Sequence, residues 1–442
     1  MRLPEQVRQI LQQLQQCGYE GYAVGGCVRD TLLGKTPNDW DICTSALPYQ
    51  VQQCFAGQQI VETGIAHGTV TLVLDHVPYE ITTYRVDGAY TDHRRPDQVQ
   101  FVTSLREDLA RRDFTINAMA CGLDGQVQDF FGGHRDLEQG LVRCVGDPDL
   151  RFEEDALRIL RALRFAAVLG FEIEPETLAA ARSKAELLKS IAAERVFVEL
   201  DKLICGQAAG DVLKECGDIL TQVIPEIGPC IGFDHHNPCH DRDVWTHSVD
   251  ALAAAPRQQV LRWALLLHDL AKPQCFIIDD EGYGHCYHHQ ALGAEQAHKI
   301  FRRLKVEKKL ENQVCQLVLH HDAELAPTRR AALHWLSRLG EEQMLRLLEM
   351  KRCDIGAHAD VPRMRWRAEE LKKFDTVVHR LLEEDACISI AQLAVNGEDL
   401  MRIGIPAGPQ IGHMLNALLD QVLDEKLANH RQSLLVWAKE NQ

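Results

Sequence analysis

Gly25-Gly26-Cys27-Val28-Arg29-Asp30, followed nine residues on by Asp39-Trp40-Asp41, is the stretch on which the fold of this chain turns. A glycine pair running into a helix-like segment can turn its backbone N–H groups towards phosphate oxygens. The two carboxylates that follow sit beside Ile42, Cys43 and Thr44, a run that reads as strand. In a strand, residues i and i+2 share one face, so Asp39 and Asp41 would stand a few Å apart and repel unless a cation sits between them. A triphosphate and a divalent metal satisfy both words at once.

Outward from that stretch, residues 1–140 read as α+β. Val7–Cys17 is helical in period, Tyr22-Ala23-Val24 is a strand, and a second helix ends near Leu33-Gly34. Further strands are expected at Trp40-Asp41-Ile42, His67–Leu74 and Tyr79–Tyr84, the last two joined as a hairpin through Asp75-His76-Val77-Pro78. Residues 86–96 are polar and aperiodic and read as a mobile loop with Arg85 at its base. Beyond about residue 150 the apolar spacing is helical almost throughout.

Composition narrows the class. A chain of 442 residues exceeds what one core holds and divides into several domains. No apolar run approaches the roughly 20 residues of a membrane span. Fifteen cysteines without framework spacing, behind a start that lacks a signal-peptide core, predict reduced thiols and a cytoplasmic protein. A net charge of −16 speaks against a uniformly basic nucleic-acid binder while leaving local basic surfaces open. Arg302-Arg303-Leu304-Lys305, Lys308-Lys309 and the segment 363–367 are such surfaces, each also readable as a solvated helix face.

Three further words carry chemistry. Glu80, in the Tyr79–Tyr84 strand, offers a third oxygen ligand beside Asp39 and Asp41 for Mg²⁺. Arg111-Arg112-Asp113-Phe114-Thr115-Ile116-Asn117-Ala118 reads either as a helix start capped by Asp113 or Thr115, or as a guanidinium, Arg112, aimed at a triphosphate. In Glu154-Asp155-Ala156-Leu157-Arg158 through Arg161, Arg164 and Phe165, a continuous helix would put Asp155 and Arg158 on one face. There they make either an ion pair or an acceptor and donor for the edge of a base.

The order GGxVRD, DxD, RRDFTxNA, EDxxRxxRxxRF resembles the class II tRNA nucleotidyltransferases, that is, the CCA-adding enzymes and their bacterial poly(A) polymerase relatives. The resemblance implies a polymerase-β-like mixed sheet in a head over 1–140, then an all-helical neck over 141–205, a body over 206–360 and a tail over 361–442. It implies that Asp39 and Asp41 hold catalytic Mg²⁺, and that Gly26, Arg29 and Arg112 contact the triphosphate. Glu154, Asp155 and Arg158 would select cytosine or adenine, with Arg161 and Arg164 in support. The loop 86–96 resembles the segment that helps switch from C to A addition, and Arg195–Leu203 the helix that braces the neck. The tail, from Asn396 through Gly412, resembles the part of Gram-positive-type enzymes that contacts the tRNA elbow.

A second constellation lies further along. His247, His268-Asp269 and Asp354 are similar in order to the HD superfamily, in which such a set binds a divalent metal for phosphate-ester hydrolysis. His288, His289, His320 and His321 are candidate ligands for a second ion, with the metal itself left open. The expected activity is template-independent addition of C, C and A to the 3′ end of tRNA from CTP and ATP. The alternatives are a poly(A) polymerase, a specialist that adds only CC or A, an HD phosphohydrolase with an RNA-binding head, and a non-catalytic RNA scaffold.

Overall fold

The computed structural model describes residues 1–441 apart from Thr63, Ala66, His67 and 88–98. The chain forms two compact units, Met1–Gly228 and Pro229–Gln442.

The first unit opens with α1 (Glu5–Gln16), which buries Val7, Ile10, Leu11 and Leu14 at helical spacing. β1 (Gly21–Val24), α2 (Gly26–Leu32), β2 (Ile42–Thr44), α3 (Pro48–Cys54), β3 (Gln59–Val61), β4 (Thr69–Leu74) and β5 (Val77–Thr83) follow. β6 (Arg85–Asp87) pairs with β7 (Val99–Phe101), and α4 (Leu105–Ala110), β8 (Met119–Cys121), β9 (Val127–Asp129) and α5 (Gly133–Gln139) complete the α+β part. Seven strands make one mixed sheet in the order β3-β4-β5-β2-β1-β8-β9. Every pairing is antiparallel except β2 with β5. Ile42, Cys43, Val70, Leu72 and Ile81 are buried in it, each large aliphatic contributing about 1.5–3 kcal/mol.

The remainder of this unit is helical. β10 (Leu141–Val142) pairs with β11 (Glu172–Ile173), and around this short ladder lie α6 (Pro148–Glu154), α7 (Leu157–Leu169), α8 (Pro175–Lys184), α9 (Ala193–Ile204) and α10 (Ala209–Leu220).

The second unit holds α11 (Val244–Ala254), α12 (Gln259–Leu267), a hairpin of β12 (Phe276–Ile278) and β13 (Gly284–Cys286), then α13 (His289–Arg303), α14 (Lys308–His320), α15 (Arg329–Leu339), α16 (Glu341–Ala357) and α17 (Pro362–Glu383). It closes with α18 (Gly397–Arg402), α19 (Pro409–Leu423) and α20 (Arg431–Glu440). No described helix is long and apolar enough to cross a membrane. All fifteen cysteines are free thiols.

Several expectations need correction. The carboxylate word does not lie in a strand: β2 begins at Ile42, and Asp39 and Asp41 are exposed residues on its approach. All three β2 side chains are buried, and two charged groups cannot enter such a core unpaired. Val86 and Asp87, expected in a loop, belong to β6, while 88–96 lie outside the described residues. The RRDFTINA word starts no α-helix. Thr115–Asn117 make one 3₁₀ turn, and the apolar run after it is β8. The β4–β5 hairpin forms as expected, with Asp75 and His76 at φ 50° and 65° in a tight two-residue turn.

Candidate active site

Three features converge at the β1–β2–β5 end of the sheet. In the parallel pairing, Ile42 faces Ile81, so Asp41, just ahead of β2, lies beside Glu80 in the middle of β5. The Asp41 carbonyl accepts a 2.9 Å hydrogen bond from the Val24 N–H, which ties this entrance to β1. Desolvation, then the charges of Asp39 and Glu80, push the Asp41 carboxyl up to about 6, against a smaller opposing pull from Arg112. Asp41 therefore feels both neighbouring carboxylates, but the oxygens of the three do not gather within 4.8 Å as a closed set. Hard oxygens that repel in this way suit Mg²⁺, which keeps part of its water shell and shares its remaining positions with phosphate.

Gly25, between β1 and α2, sits at φ 81° and ψ −127°, a conformation in which a side chain is strained. A Cβ there would also stand 2.9 Å from Arg112 Nη1. Glycine thus serves twice, letting the turn form and letting Arg112 lie over it. Arg112 is aimed from the other side by the fully buried Asp108, whose Oδ2 is 3.6 Å from Arg112 Nη2 and whose Oδ1 accepts from Arg111. Sequence reasoning missed Asp108 on α4, although its spacing, three and four residues before the arginine pair that follows the helix, was the available signal. Arg29 projects from α2 and donates from Nη1 to Asn117 Oδ1 at 2.7 Å.

The base-selecting candidates lie around a helix break. Asp155 has extended backbone angles, φ −137° and ψ 100°, and separates α6 from α7. Asp155 and Arg158 therefore do not share one uninterrupted helix face. Asp155 Oδ1 accepts from the Leu157 N–H, and Oδ2 is 3.1 Å from Arg195 Nη2 on α9. Asp155 is the C-cap of α6 and stands one residue ahead of Ala156, the N-cap of α7, while its carboxylate takes the first free N–H of α7. Arg158 is buried and donates to Glu154 Oε2 at 2.7 Å and to the Arg111 carbonyl at 3.0 Å. Arg161 donates twice to Asp113 Oδ2, at 2.8 and 2.6 Å, and Arg164 pairs with Glu199 on α9 at 2.5 Å. Burial alone would raise the Asp113 carboxyl, yet Arg161 and Asn117 hold it well below the usual carboxylate range.

In the second unit, His247 from α11, His268 and Asp269 at the end of α12, and Asp354 on α16 meet at one point. His247 Nε2 is 3.0 Å from Asp354 Oδ1 and 3.7 Å from Asp269 Oδ2; His268 Nε2 is 3.2 Å from Asp269 Oδ2 and 3.5 Å from Asp354 Oδ1. Asp269 Oδ1 is 3.6 Å from both His289 Nε2 and His321 Nε2, so this buried carboxylate faces two donor sets. His288 and His320 stay out: His288 is exposed ahead of α13, and His320 packs edge-on against Trp335. A cavity of about 310 Å³ above these groups is also lined by Lys272, Arg363 and Arg367. Mixed imidazole and carboxylate donors at such separations fit a transition-metal ion better than Mg²⁺.

The two units can now be set beside known proteins. The Poly A polymerase head domain family matches residues 21–143, the probable RNA and SrmB-binding site of polymerase A matches 170–229, and the putative tRNA nucleotidyltransferase domain 2 matches 286–438. A CCA-adding enzyme of Levilactobacillus brevis is 39% identical over 98% of this chain and 96% of its own length. One of Geobacillus thermodenitrificans is 34% identical over 99% of this chain and 96% of its own. The crystal structure of the Bacillus stearothermophilus CCA-adding enzyme in complex with CTP matches with a TM-score of 0.73 at 30% identity, covering 100% of this chain and 98% of that one. A mixed sheet entered by a glycine turn and paired carboxylates, with full-length kinship at this level, leads to one conclusion: the chain belongs to the CCA-adding enzymes.

Proposed function

We propose that this chain adds C, C and A to the 3′ end of tRNA from CTP and ATP, with release of pyrophosphate. The observation that carries the reading is the meeting of Asp41, at the entrance of β2, with Glu80 on the neighbouring strand β5, within the electrostatic reach of Arg112 over the Gly25 turn. In this reading Asp39 and Asp41 hold Mg²⁺, with Glu80 as the third carboxylate. Bound there, the ion supplies positive charge for a developing alkoxide and for the leaving pyrophosphate.

The chain's own residues do the rest. Gly26, at the start of α2, presents backbone to the triphosphate, and Arg29 and Arg112 clamp its oxygens from two sides. Glu154, Asp155 and Arg158 meet the base edge, Asp155 steadied by Arg195 and Arg158 by Glu154. Arg161 and Arg164 support that set, braced by Asp113 and Glu199. The boundaries 1–140, 141–205, 206–360 and 361–442 are proposed as head, neck, body and tail, with tRNA lying along the helical parts. The fifteen free thiols support a cytoplasmic setting.

The converged donors of the second unit favour a second reading for that unit alone. His247, His268, Asp269 and Asp354 hold a divalent transition metal, and Arg363 and Arg367 at the cavity draw a phosphate ester to it. Extension of a tRNA lacking its 3′ CCA, with CTP and ATP supplied together, tests the main reading. Three added nucleotides ending in A support it. A long A tract, or a halt after CC, overturns it in favour of a poly(A) polymerase or a CC-adding specialist.

A further inference from the structure

Asn117 is a small amide inside a 3₁₀ turn, almost wholly buried, and both of its ends are used. Its Oδ1 accepts from Arg29 Nη1 at 2.7 Å, and its Nδ2 donates to Asp113 Oδ1 at 3.1 Å. The other oxygen of Asp113 takes both hydrogen bonds from Arg161. One unbroken chain thus runs from Arg29 on α2 through Asn117 and Asp113 to Arg161 on α7. A ring closes it: the guanidinium carbons of Arg29, Arg161 and Arg164 lie 5.1, 5.5 and 3.9 Å from the centroid of Phe165. Glu199 offsets the gathered positive charge, with Oε2 at 2.5 Å from Arg164 and Oε1 at 3.9 Å from Arg161.

We propose that Asn117 is a positioning residue for the nucleotide triphosphate: it anchors Arg29 to the buried Asp113–Arg161 pair, so that the guanidinium is already in place when CTP or ATP arrives. The inference rests on the reading of Arg29 as a triphosphate contact. A long side chain with many rotamers loses entropy when it binds, and a fixed partner meets that cost before the ligand does. Asp30 also pairs with Arg29, at 2.7 Å, but it is the adjacent residue on α2 and moves with it. Asn117 is the partner that ties the arm to a different part of the unit. The amide meets both demands at once, because Arg29 requires an acceptor and Asp113 requires a donor.

The triphosphate is common to both substrates, so the effect is the same for each. Asn117→Leu, close in size and unable to hydrogen-bond, raises KM for CTP and for ATP together by about tenfold, the worth of one charge-assisted bond. Its kcat and its choice between C and A stay near wild type. A purely structural role would lower the melting temperature and leave KM unchanged, and that result overturns the proposal. If Asn117→Leu does not fold, Asn117→Ala makes the same measurement. A double-mutant cycle separates this inference from the reading beneath it. Asn117→Leu added to Arg29→Leu costs nothing further in KM if the asparagine acts through the arginine, whereas additive losses refute it. If Arg29→Leu alone leaves KM unchanged, the triphosphate reading of Arg29 has failed. If Arg29→Leu raises KM and Asn117→Leu does not, the positioning inference alone has failed.

Discussion

The two candidate metal sites of this chain are built on opposite plans. Beside the central strands β2 and β5, Asp39 and Asp41 are exposed, all three donors are carboxylates, and their oxygens stand apart. In the second unit, His247, His268 and Asp269 are fully buried, two imidazoles stand with two carboxylates, and the paired nitrogens and oxygens are 3.0–3.7 Å apart. An open oxygen site suits an ion that arrives with a triphosphate, which supplies the missing ligands. A closed site with imidazole among its donors suits an ion that stays. The difference also separates what each site asks of the fold. In the proposed reading the first is completed by substrate and tolerates repulsion without it; the second demands that elements distant in sequence converge.

The comparison breaks first, and hardest, at Asp41. Asp41→Ala removes a ligand worth several kcal/mol of charge stabilisation, so nucleotide incorporation falls by roughly 10³-fold or more while tRNA binding persists. Near-normal turnover in a filter-binding and extension assay pair would dissolve the distinction between the two sites. The converse variant, Asp269→Asn, strips the transition metal from the purified chain, read by elemental analysis, and leaves CCA addition intact. Equal metal content in wild type and variant would show that the second unit holds no resident ion. A smaller effect sharpens the comparison within the first unit. Asp155→Ala blurs the choice between CTP and ATP by roughly tenfold to a hundredfold, the range for a hydrogen bond to a charged group. An unchanged misincorporation ratio would remove Asp155 from the base edge and leave it a helix cap.

Much of this was legible in the sequence, for identifiable reasons. The hairpin followed from two β-like runs around the turn-like Asp75-His76-Val77-Pro78, of which Val77 and Pro78 belong to β5, and the glycine pair marked the turn that Gly25 makes at positive φ. The order of His247, His268, Asp269 and Asp354 picked out residues that do meet. What stayed hidden was set by partners far along the chain. The break at Asp155 depends on its side chain capping α7 and pairing with Arg195, 40 residues away. The 3₁₀ turn at Thr115–Asn117 is fixed by Asp136, which accepts from Thr115 Oγ1 at 2.7 Å, and by the Arg143 carbonyl, which accepts from the Thr115 N–H. A motif read locally as a helix start had no means of showing either. His289 and His321 were named alongside His288 and His320 because adjacency in sequence does not say which of two neighbours faces inward; α13 and α14 decide that.

The smallest effect concerns stability rather than catalysis, and its sign follows from Asp41. Its carboxyl, at about 6 instead of 3.8, holds a proton more tightly in the folded chain than in the unfolded one. Between those two values the native state carries the extra proton, so stability declines as pH rises through the window and stays lower above it. A cation at the three carboxylates reverses this, because it favours the ionised form. Mg²⁺ should therefore raise the melting temperature at pH 8 and do little at pH 5. Asp41→Asn should gain about 1–2 °C at pH 8 without metal, show no such gain at pH 5, and respond weakly to Mg²⁺ at either. The buried set in the second unit predicts the opposite pattern, since Asp269 and Asp354 are held well below the usual carboxylate range by burial-opposing contacts with His268 and His247. Neutralising either of those carboxylates lowers the melting temperature at neutral pH. If Asp41→Asn is instead destabilising at pH 8, the carboxylates beside β2 and β5 are satisfied without a cation, and the contrast between an open and a closed site loses its physical basis.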